Sequence, residues 1–370
     1  MTNKLSLYFH IPFCVKKCDY CAFYSLANQN DELIDSYFQA LCRQVSSLQT
    51  QSVIKTVYFG GGTPPLLAIP RLIALLDLIR TRFKLAPDCE ITIEINPKTI
   101  DFAGLSALRA AGFNRLSIGI QSANDVVLQS LGRIHTFADA VECFDSARRA
   151  GFKNVSADII LALPYRPLGS LEGELNDILS TLNPDHISAY SLQLEEGTPL
   201  YKRRETLVLP DEDDEEDEYR TLCTLLSQRG FKHYEVSSFA REGFESRHNS
   251  TYWECGEYFG FGAGAHSYYL GKRFSTEPDV NSFIEKSRLS PFAPTDFDSS
   301  PILTPDERAE EAIMLGLRTA KGAVIPESKR LVGEKIRSLG LGTYDPLTRR
   351  LTLNSRGFRV SNAIIADVLG

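Results

Sequence analysis

Six short β-rich runs, separated by helical patterns, constrain this chain's fold more than any other feature. They fall at residues 5–11, 56–60, 91–95, 115–120, 154–163 and 186–192. The stretch between the last two shows the helical pattern well. In residues 168–182, Leu171, Leu175, Ile178, Leu179 and Leu182 share one face at helical spacing. Strand and helix alternating at this rhythm mean βαβ units and a parallel sheet, because parallel strands need long crossovers. Six units suit an incomplete six-stranded parallel β/α barrel better than a closed eight-fold one. Polar and glycine-rich stretches lie just after the first four strands or near their C-terminal ends: 14–21, 60–64, 94–97 and Gln121. Ligands of α/β barrels gather at that end. These independent features therefore converge on one mouth.

The remaining chain is expected to add two regions. Residues 1–230 form the barrel, 231–290 an extension, and 300–370 a small α+β domain of winged-helix type. The Ser-, Pro- and Asp-rich stretch 290–305 reads as a linker or surface loop. Residues 305–317 read as a helix. A second helix and short β runs at 351–353 and 358–360 follow. Eight consecutive acids, Asp211 to Glu218, could form a patch for a basic partner or a metal. A helix start explains them better: acids suit a first turn, and Leu222, Leu225 and Leu226 supply an apolar face behind them.

Composition excludes some partners. Hydrophobic residues make up 43% and charged residues 24% of the 370, as in an ordinary globular chain. The net charge of −7 argues against duplex nucleic acid, which needs a basic face. No leader-like segment opens the chain, and no apolar run reaches the roughly 18 residues of a membrane span. A reducing cytoplasmic compartment without stable membrane insertion is expected, and the eight cysteines do not form a dense disulfide framework.

Cys14, Cys18 and Cys21 form C-x3-C-x2-C with no fourth cysteine nearby. Three thiolates on one loop can hold three irons of a [4Fe–4S] cluster and leave the fourth iron open to a small ligand. A zinc site or structural thiols are the alternatives, although zinc loops more often pair C-x2-C motifs and supply a fourth ligand. Gly60-Gly61-Gly62-Thr63-Pro64 follows the second strand, where glycines let backbone approach a ligand. Glu94 ends the third strand on an alternation that points it inward, and a buried carboxylate needs a cation or good donors. Gln121 follows the fourth strand, Arg133 follows the next helix, and Asp158 interrupts the apolar fifth strand.

The cysteine spacing resembles the signature of the radical SAM superfamily. Matching stretches continue along the chain: Y-F-H-I-P-F-C-V-K-K-C-D-Y-C-A-F, F-G-G-G-T-P, I-E-I-N-P, S-I-G-I-Q-S, L-G-R-I-H and D-I-I-L-A-L-P, then V-L-P-D-E-D and H-N-S-T-Y-W-E-C-G-E-Y-F-G-F-G-A-G-A-H. Together they resemble the coproporphyrinogen oxidase-like branch, and within it the HemW heme chaperone family. The resemblance implies a radical SAM partial barrel in which Cys14, Cys18 and Cys21 hold the cluster. S-adenosylmethionine would occupy its open iron. Tyr8 and Tyr20 would contact this cofactor, and Gly61, Gly62, Thr63 and Glu94 would bind it on the methionine side. Gln121, Arg133 and Asp158 would line the same mouth. The resemblance assigns no catalytic residue. His248-Asn249-Ser250-Thr251-Tyr252-Trp253 matches the family's H-N-x-x-Y-W heme motif, with His248 as the expected iron ligand, whereas the residue types alone would also suit a capped turn with aromatic packing. His266 and Cys255 come next as ligands. His10 is expected to orient the cysteine loop, and Cys42, Cys89, Cys143 and Cys223 read as core residues.

Two departures separate the chain from oxygen-independent coproporphyrinogen oxidases. Phe23 stands where those enzymes carry a further cysteine, and only thirteen residues precede Cys14. The readings are, in order, a heme chaperone passing heme to an acceptor protein, a radical enzyme acting on a porphyrinogen, and a non-catalytic metal-thiolate module. A second copy of the chain is kept as a candidate partner.

Overall fold

The computed structural model describes residues 4–289 and 300–370, so most of the expected linker 290–305 lies outside the described residues. The six β-rich runs form β1 (Lys4–Ile11), β2 (Val53–Gly61), β3 (Leu85–Ile95), β4 (Arg115–Gln121), β5 (Val155–Leu161) and β6 (His186–Ser191). Each pairs in parallel with the next in chain order. The crossovers carry α1 (Asp31–Ser47), α2 (Ile69–Arg82), α3 (Phe102–Ala111), α4 (Phe137–Arg149) and α5 (Leu171–Leu182). Side-chain caps start three of them, from Asn30, Asp101 and Thr136.

The sheet continues beyond both edges of this unit. β7 (Lys232–Glu235) and β8 (Ser238–Ala240) extend it antiparallel from β6. At the other edge, β9 (Tyr258–Phe261) adds to β1 in parallel, with Ser6 opposite Tyr258. Then β10 (His266–Tyr269) and β11 (Lys272–Ser275) continue antiparallel. Among the described residues the order is β11-β10-β9-β1-β2-β3-β4-β5-β6-β8-β7, and single antiparallel bridges, Lys272 to Ile302 and Glu235 to Thr319, cover its two ends. The barrel stays open. The strands of the segment 231–289 therefore extend the barrel's own sheet rather than forming a separate layer.

Strand alternation sorts the two faces. Leu5, Leu7, Phe9 and Ile11 of β1 are fully buried beneath the helices, each worth ~1.5–3 kcal/mol. Ser6, Tyr8 and His10 alternate with them and face the interior. The same parity brings Thr56 and Tyr58, Thr92 and Glu94, Ser117, Ser156 and Asp158, and His186 and Ser188 inward. A parallel sheet buried on both faces usually reads as unbroken aliphatic runs. Here the inner face is polar, which suits a lumen built for ligands.

The acids begin α6 (Glu212–Gln228): Asp211 caps it, accepting from the Asp214 N–H at 2.8 Å. Further on come α7 (Arg247–Trp253) and α8 (Val280–Leu289). The C-terminal region holds α9 (Pro305–Gly316), α10 (Arg330–Ser338) and α11 (Ser361–Leu369) around a small sheet of β12 (Ala323–Val324), β13 (Gly342–Asp345) and β14 (Arg350–Leu353). Ile313, Leu317, Ile336, Leu351 and Phe358 belong to its own core. The run 358–360 is not a strand. Asn354 accepts the Gly357 N–H at 3.1 Å and caps a helical turn, Ser355–Arg359.

This region docks on the barrel through backbone and side chains. The Val236 N–H donates to the Arg318 carbonyl at 2.8 Å, and the Ala320 N–H to that of Tyr234 at 2.9 Å. The His233 ring stacks on Phe239 at 4.0 Å and meets the edge of Phe358 at 4.9 Å.

Candidate functional site

The cysteine loop leaves β1 and is tied down on several sides. Phe13–Cys14 pairs with Leu26–Ala27 and closes the loop's base. The Asp19 N–H donates to the Leu131 carbonyl at 3.0 Å, and the Asp19 carbonyl accepts from the Leu200 N–H at 2.8 Å. The Asp19 carboxylate also meets Arg203 at 2.7 Å. His10 reaches the loop through Nε2, 3.0 Å from the Tyr24 carbonyl, and its Nδ1 is 3.0 Å from the Tyr8 hydroxyl. It orients the loop as its position suggests. Gly61, at φ +111°, lies against this ring, and a Cβ there would come within 2.6 Å of it. A Cβ on Gly62 would lie 3.0 Å from Cys14 Sγ. Only glycine lets the second turn approach the thiols so closely.

A chain of polar contacts links two of the thiols across the mouth. Thr63 Oγ1 donates to Cys14 Sγ at 3.7 Å and accepts from Asn96 Nδ2 at 2.9 Å. Asn96 Oδ1 accepts from Arg133 Nη2 at 2.7 Å, and Arg133 Nη1 is 3.4 Å from Cys18 Sγ. The guanidinium also donates to the Gly119 carbonyl at 2.6 Å, while its Nε is buried without a partner. Burial raises the pKa of the Tyr20 hydroxyl, which lies beside Arg133 and Cys18. The residue reading missed Asn96, which follows Glu94 by two positions in I-E-I-N-P and so shares its face.

Glu94 and Asp158 line the same lumen. Glu94 accepts from the Tyr58 hydroxyl at 2.7 Å and the Gly61 N–H at 3.1 Å. Burial, reinforced by Asp158, pushes its carboxyl up to about 7 despite those donors. Asp158 accepts from Ser117 at 2.8 Å and Ser156 at 3.0 Å, and burial raises its pKa too. Gln121 adopts φ +64° and folds its amide back over Gly119. An enclosed carboxylate near neutrality suits an incoming ammonium group, whose charge would favour the ionised form. Burial raises the Cys21 thiol. Among the described residues no three His, Cys, Asp or Glu side chains gather as a single-ion site. The donors present fit a cluster with an amino-acid ligand: loop-borne thiols, a glycine cradle and a buried carboxylate.

An ion network braces the mouth from behind. Glu174 accepts from Ser122 Oγ at 2.6 Å and the Ala123 N–H at 2.8 Å, just past Gln121. Arg166 joins Glu174 and Glu218, each at 3.2 Å, and donates to the Ile160 carbonyl at 2.9 Å. Glu218 takes the Ala162 N–H at 2.8 Å, where β5 ends.

Deeper in the lumen the residues serve different ends. Tyr190 is 47% exposed although it points inward, so it borders open space inside the barrel. Arg115 is buried with its Nε unpartnered, and Thr92 Oγ1 on the paired strand position is unpartnered too. The placement of His248 differs from the expectation of an available iron ligand. The ring is 1% exposed; Nδ1 lies 2.7 Å from Thr56 Oγ1 and Nε2 lies 2.7 Å from the Tyr252 hydroxyl. It stacks on Tyr58 at 4.8 Å, and Glu90 accepts its backbone N–H at 2.9 Å. Here α7 plugs the lower end of the lumen, and both ring nitrogens are engaged within the protein. His266 instead stands exposed at the start of β10. Cys255 is partly buried, with its thiol raised by burial.

Comparison with known proteins follows the same lines. Residues 8–178 match the profile of the Radical SAM superfamily. The chain is similar to a heme chaperone HemW of Lactococcus lactis, at 33% identity over 98% of this chain and 97% of that protein. A heme chaperone HemW of Escherichia coli is 41% identical over 71% of this chain and 69% of its own length. Among solved structures, the coproporphyrinogen III oxidase of Escherichia coli superposes with a TM-score of 0.82 over 99% of this chain and 90% of that one. Their identity is 22%, so the likeness is one of fold.

Proposed function

This chain belongs to the HemW family of the radical SAM superfamily, and from that membership we propose that it is a heme chaperone: it binds heme alongside a [4Fe–4S] cluster with S-adenosylmethionine, and passes the heme to an acceptor protein. The end-to-end similarity to curated heme chaperones carries this reading. Cys14, Cys18 and Cys21 would hold the cluster. Tyr8, Tyr20, Gly61, Gly62, Thr63, Glu94, Gln121, Arg133 and Asp158 would form the bed for S-adenosylmethionine, with Glu94 receiving its ammonium group. When bound, the reduced cluster can deliver one electron to the sulfonium. The chain's own contribution is to hold Arg133 beside Cys18 and to keep Glu94 enclosed. His248, expected to ligate heme, would have to give up a buried hydrogen bond to do so.

One anaerobic preparation tests the reading. Reconstituted protein is expected to bind one cluster, show a Soret band on heme titration, and load an apo-heme protein. It should form no protoporphyrinogen from coproporphyrinogen III, since Phe23 replaces the further cysteine. Turnover of that substrate, or absence of heme binding, would put a porphyrinogen-oxidising enzyme in the chaperone's place.

A further inference from the structure

We propose that heme docks on the rim of the mouth, with His266 as its iron ligand and the cysteine loop as its seat. This rests on the heme-binding reading above and assigns where that heme sits.

The assignment follows from what each imidazole is doing. The chain has six histidines. His10, His186, His233 and His248 engage both ring nitrogens in hydrogen bonds. His135 uses Nε2 toward the Ile120 carbonyl, and its free Nδ1 is sealed in a residue 3% exposed. His266 is exposed, and no ring hydrogen bond joins it to another described residue. An iron in a rigid macrocycle needs an imidazole nitrogen at the surface of a site wide enough to admit the ring. Of the six, only His266 offers an unengaged ring at the surface.

The surroundings of His266 match the rest of the ligand. β9 runs parallel to β1, so the turn after Phe261 lies at the cysteine end of the barrel. The Ala263 N–H donates to the Tyr37 hydroxyl, which itself donates to the His10 carbonyl. A Cβ on Gly264 would touch the Tyr24 ring at 3.5 Å. His266 is close enough to His10 to act on its charge. The loop next to Tyr24 presents Phe23, 70% exposed, and Val15, 43% exposed. Lys16 and Lys17 are exposed between them in sequence. Heme carries one iron, two broad apolar faces and two propionates. The rim offers an unengaged imidazole, uncovered apolar side chains and two cations, a complement in all three respects.

Heme titration of the full chain, followed by its Soret band, tests the site. His266→Ala should bind heme roughly tenfold or more weakly with a shifted band, and keep its circular dichroism and cluster loading. Lys16→Glu with Lys17→Glu should weaken heme more than heme dimethyl ester, which lacks the propionate charges. In wild type, ferric heme should alter the microwave power saturation of the reduced cluster's resonance, because the rim adjoins the loop. Heme binding unchanged in His266→Ala would overturn the site, as would its loss in a folded His248→Gln protein that keeps His266. A wild-type protein with no Soret band would instead sink the heme reading itself. If His248→Gln fails to fold, the His266 and ester comparisons still decide.

Discussion

Asn96 shows how much one side chain can hold together. It joins Thr63 to Arg133 and so couples Cys14 to Cys18. Asn96→Ala removes a neutral and a charge-assisted hydrogen bond, ~1–3 kcal/mol for a buried group left unsatisfied. S-adenosylmethionine measured calorimetrically on reconstituted protein should then bind about five- to hundred-fold more weakly; unchanged affinity would make the relay incidental. Glu94 gives a prediction with a definite sign. Its folded pKa, about 7, lies above the ordinary 4.5. The folded state therefore binds a proton that the unfolded state lacks between those values. Stability from this group is present below pH 4.5 and lost as pH rises toward 7. Glu94→Gln should stabilise the ligand-free protein at pH 8, by up to about 3 kcal/mol, while binding S-adenosylmethionine less well. Chemical melts at pH 5 and 8 check it: equal gains at both would assign the effect to packing. Glu94 was legible because its strand alternation faced it inward. Asn96 and Tyr58 share that parity, but polar side chains carry no mark of their partners until the strands are in register.

Between elements, the Arg166 network fixes the ends of β4 and β5. Arg166 is enclosed, and its loss would strand the buried Glu174 carboxylate and the partly buried Glu218. Arg166→Met is expected to cost ~3–5 kcal/mol in urea melts, and to loosen the 162–170 loop toward proteolysis. The exposed pair Arg149–Asp145 is the control; Arg149→Ala should change stability by about 0.5 kcal/mol or less. Equal costs would mean the buried network is not a brace. The acid run was legible as a helix start, but its later members do more. Glu216 meets Arg359 of the C-terminal region at 3.1 Å, and Glu218 turns inward. Such pairings join residues far apart in sequence, which local patterns do not reveal. β9 escaped notice for a related reason. Its four residues are few and broken by Gly260, with Gly256 and Gly262 close on either side, yet they complete a parallel edge on β1. The misplaced run 358–360 has strand-like composition, and the Asn354 cap overrode it.

The whole molecule carries its histidines mostly as neutral groups. Burial lowers His10 and His186, lowers His135 and His233 to about 4, and lowers His248 to about 3. An unfolded histidine takes a proton near pH 6.5, so each contributes stability present above 6.5 and lost as pH falls toward its folded value. Each adds a slope approaching ~1.4 kcal/mol per pH unit. Glu94, Asp158 and Glu235, all raised by burial, act in the opposite sense, but the histidines outnumber them. The melting temperature should therefore fall steeply from pH 6.5 to 5 in scanning calorimetry; a flat profile would show these rings free to ionise in the native state. At this scale the partial barrel was legible from its strand–helix rhythm, and its mouth from the polar and glycine-rich stretches at the strands' C-terminal ends. The docking of the C-terminal region was not, because it rests on backbone contacts such as Val236 to Arg318.

The anchoring of the cysteine loop bears on how the protein is made. Its main-chain contacts to Leu131 and Leu200 are made within the polypeptide itself. A small zinc domain behaves oppositely, since metal binding is its folding energy. Here the loop is tied to segments that leave the ribosome well after it, so the three thiols take their places only once the chain past β6 has been made.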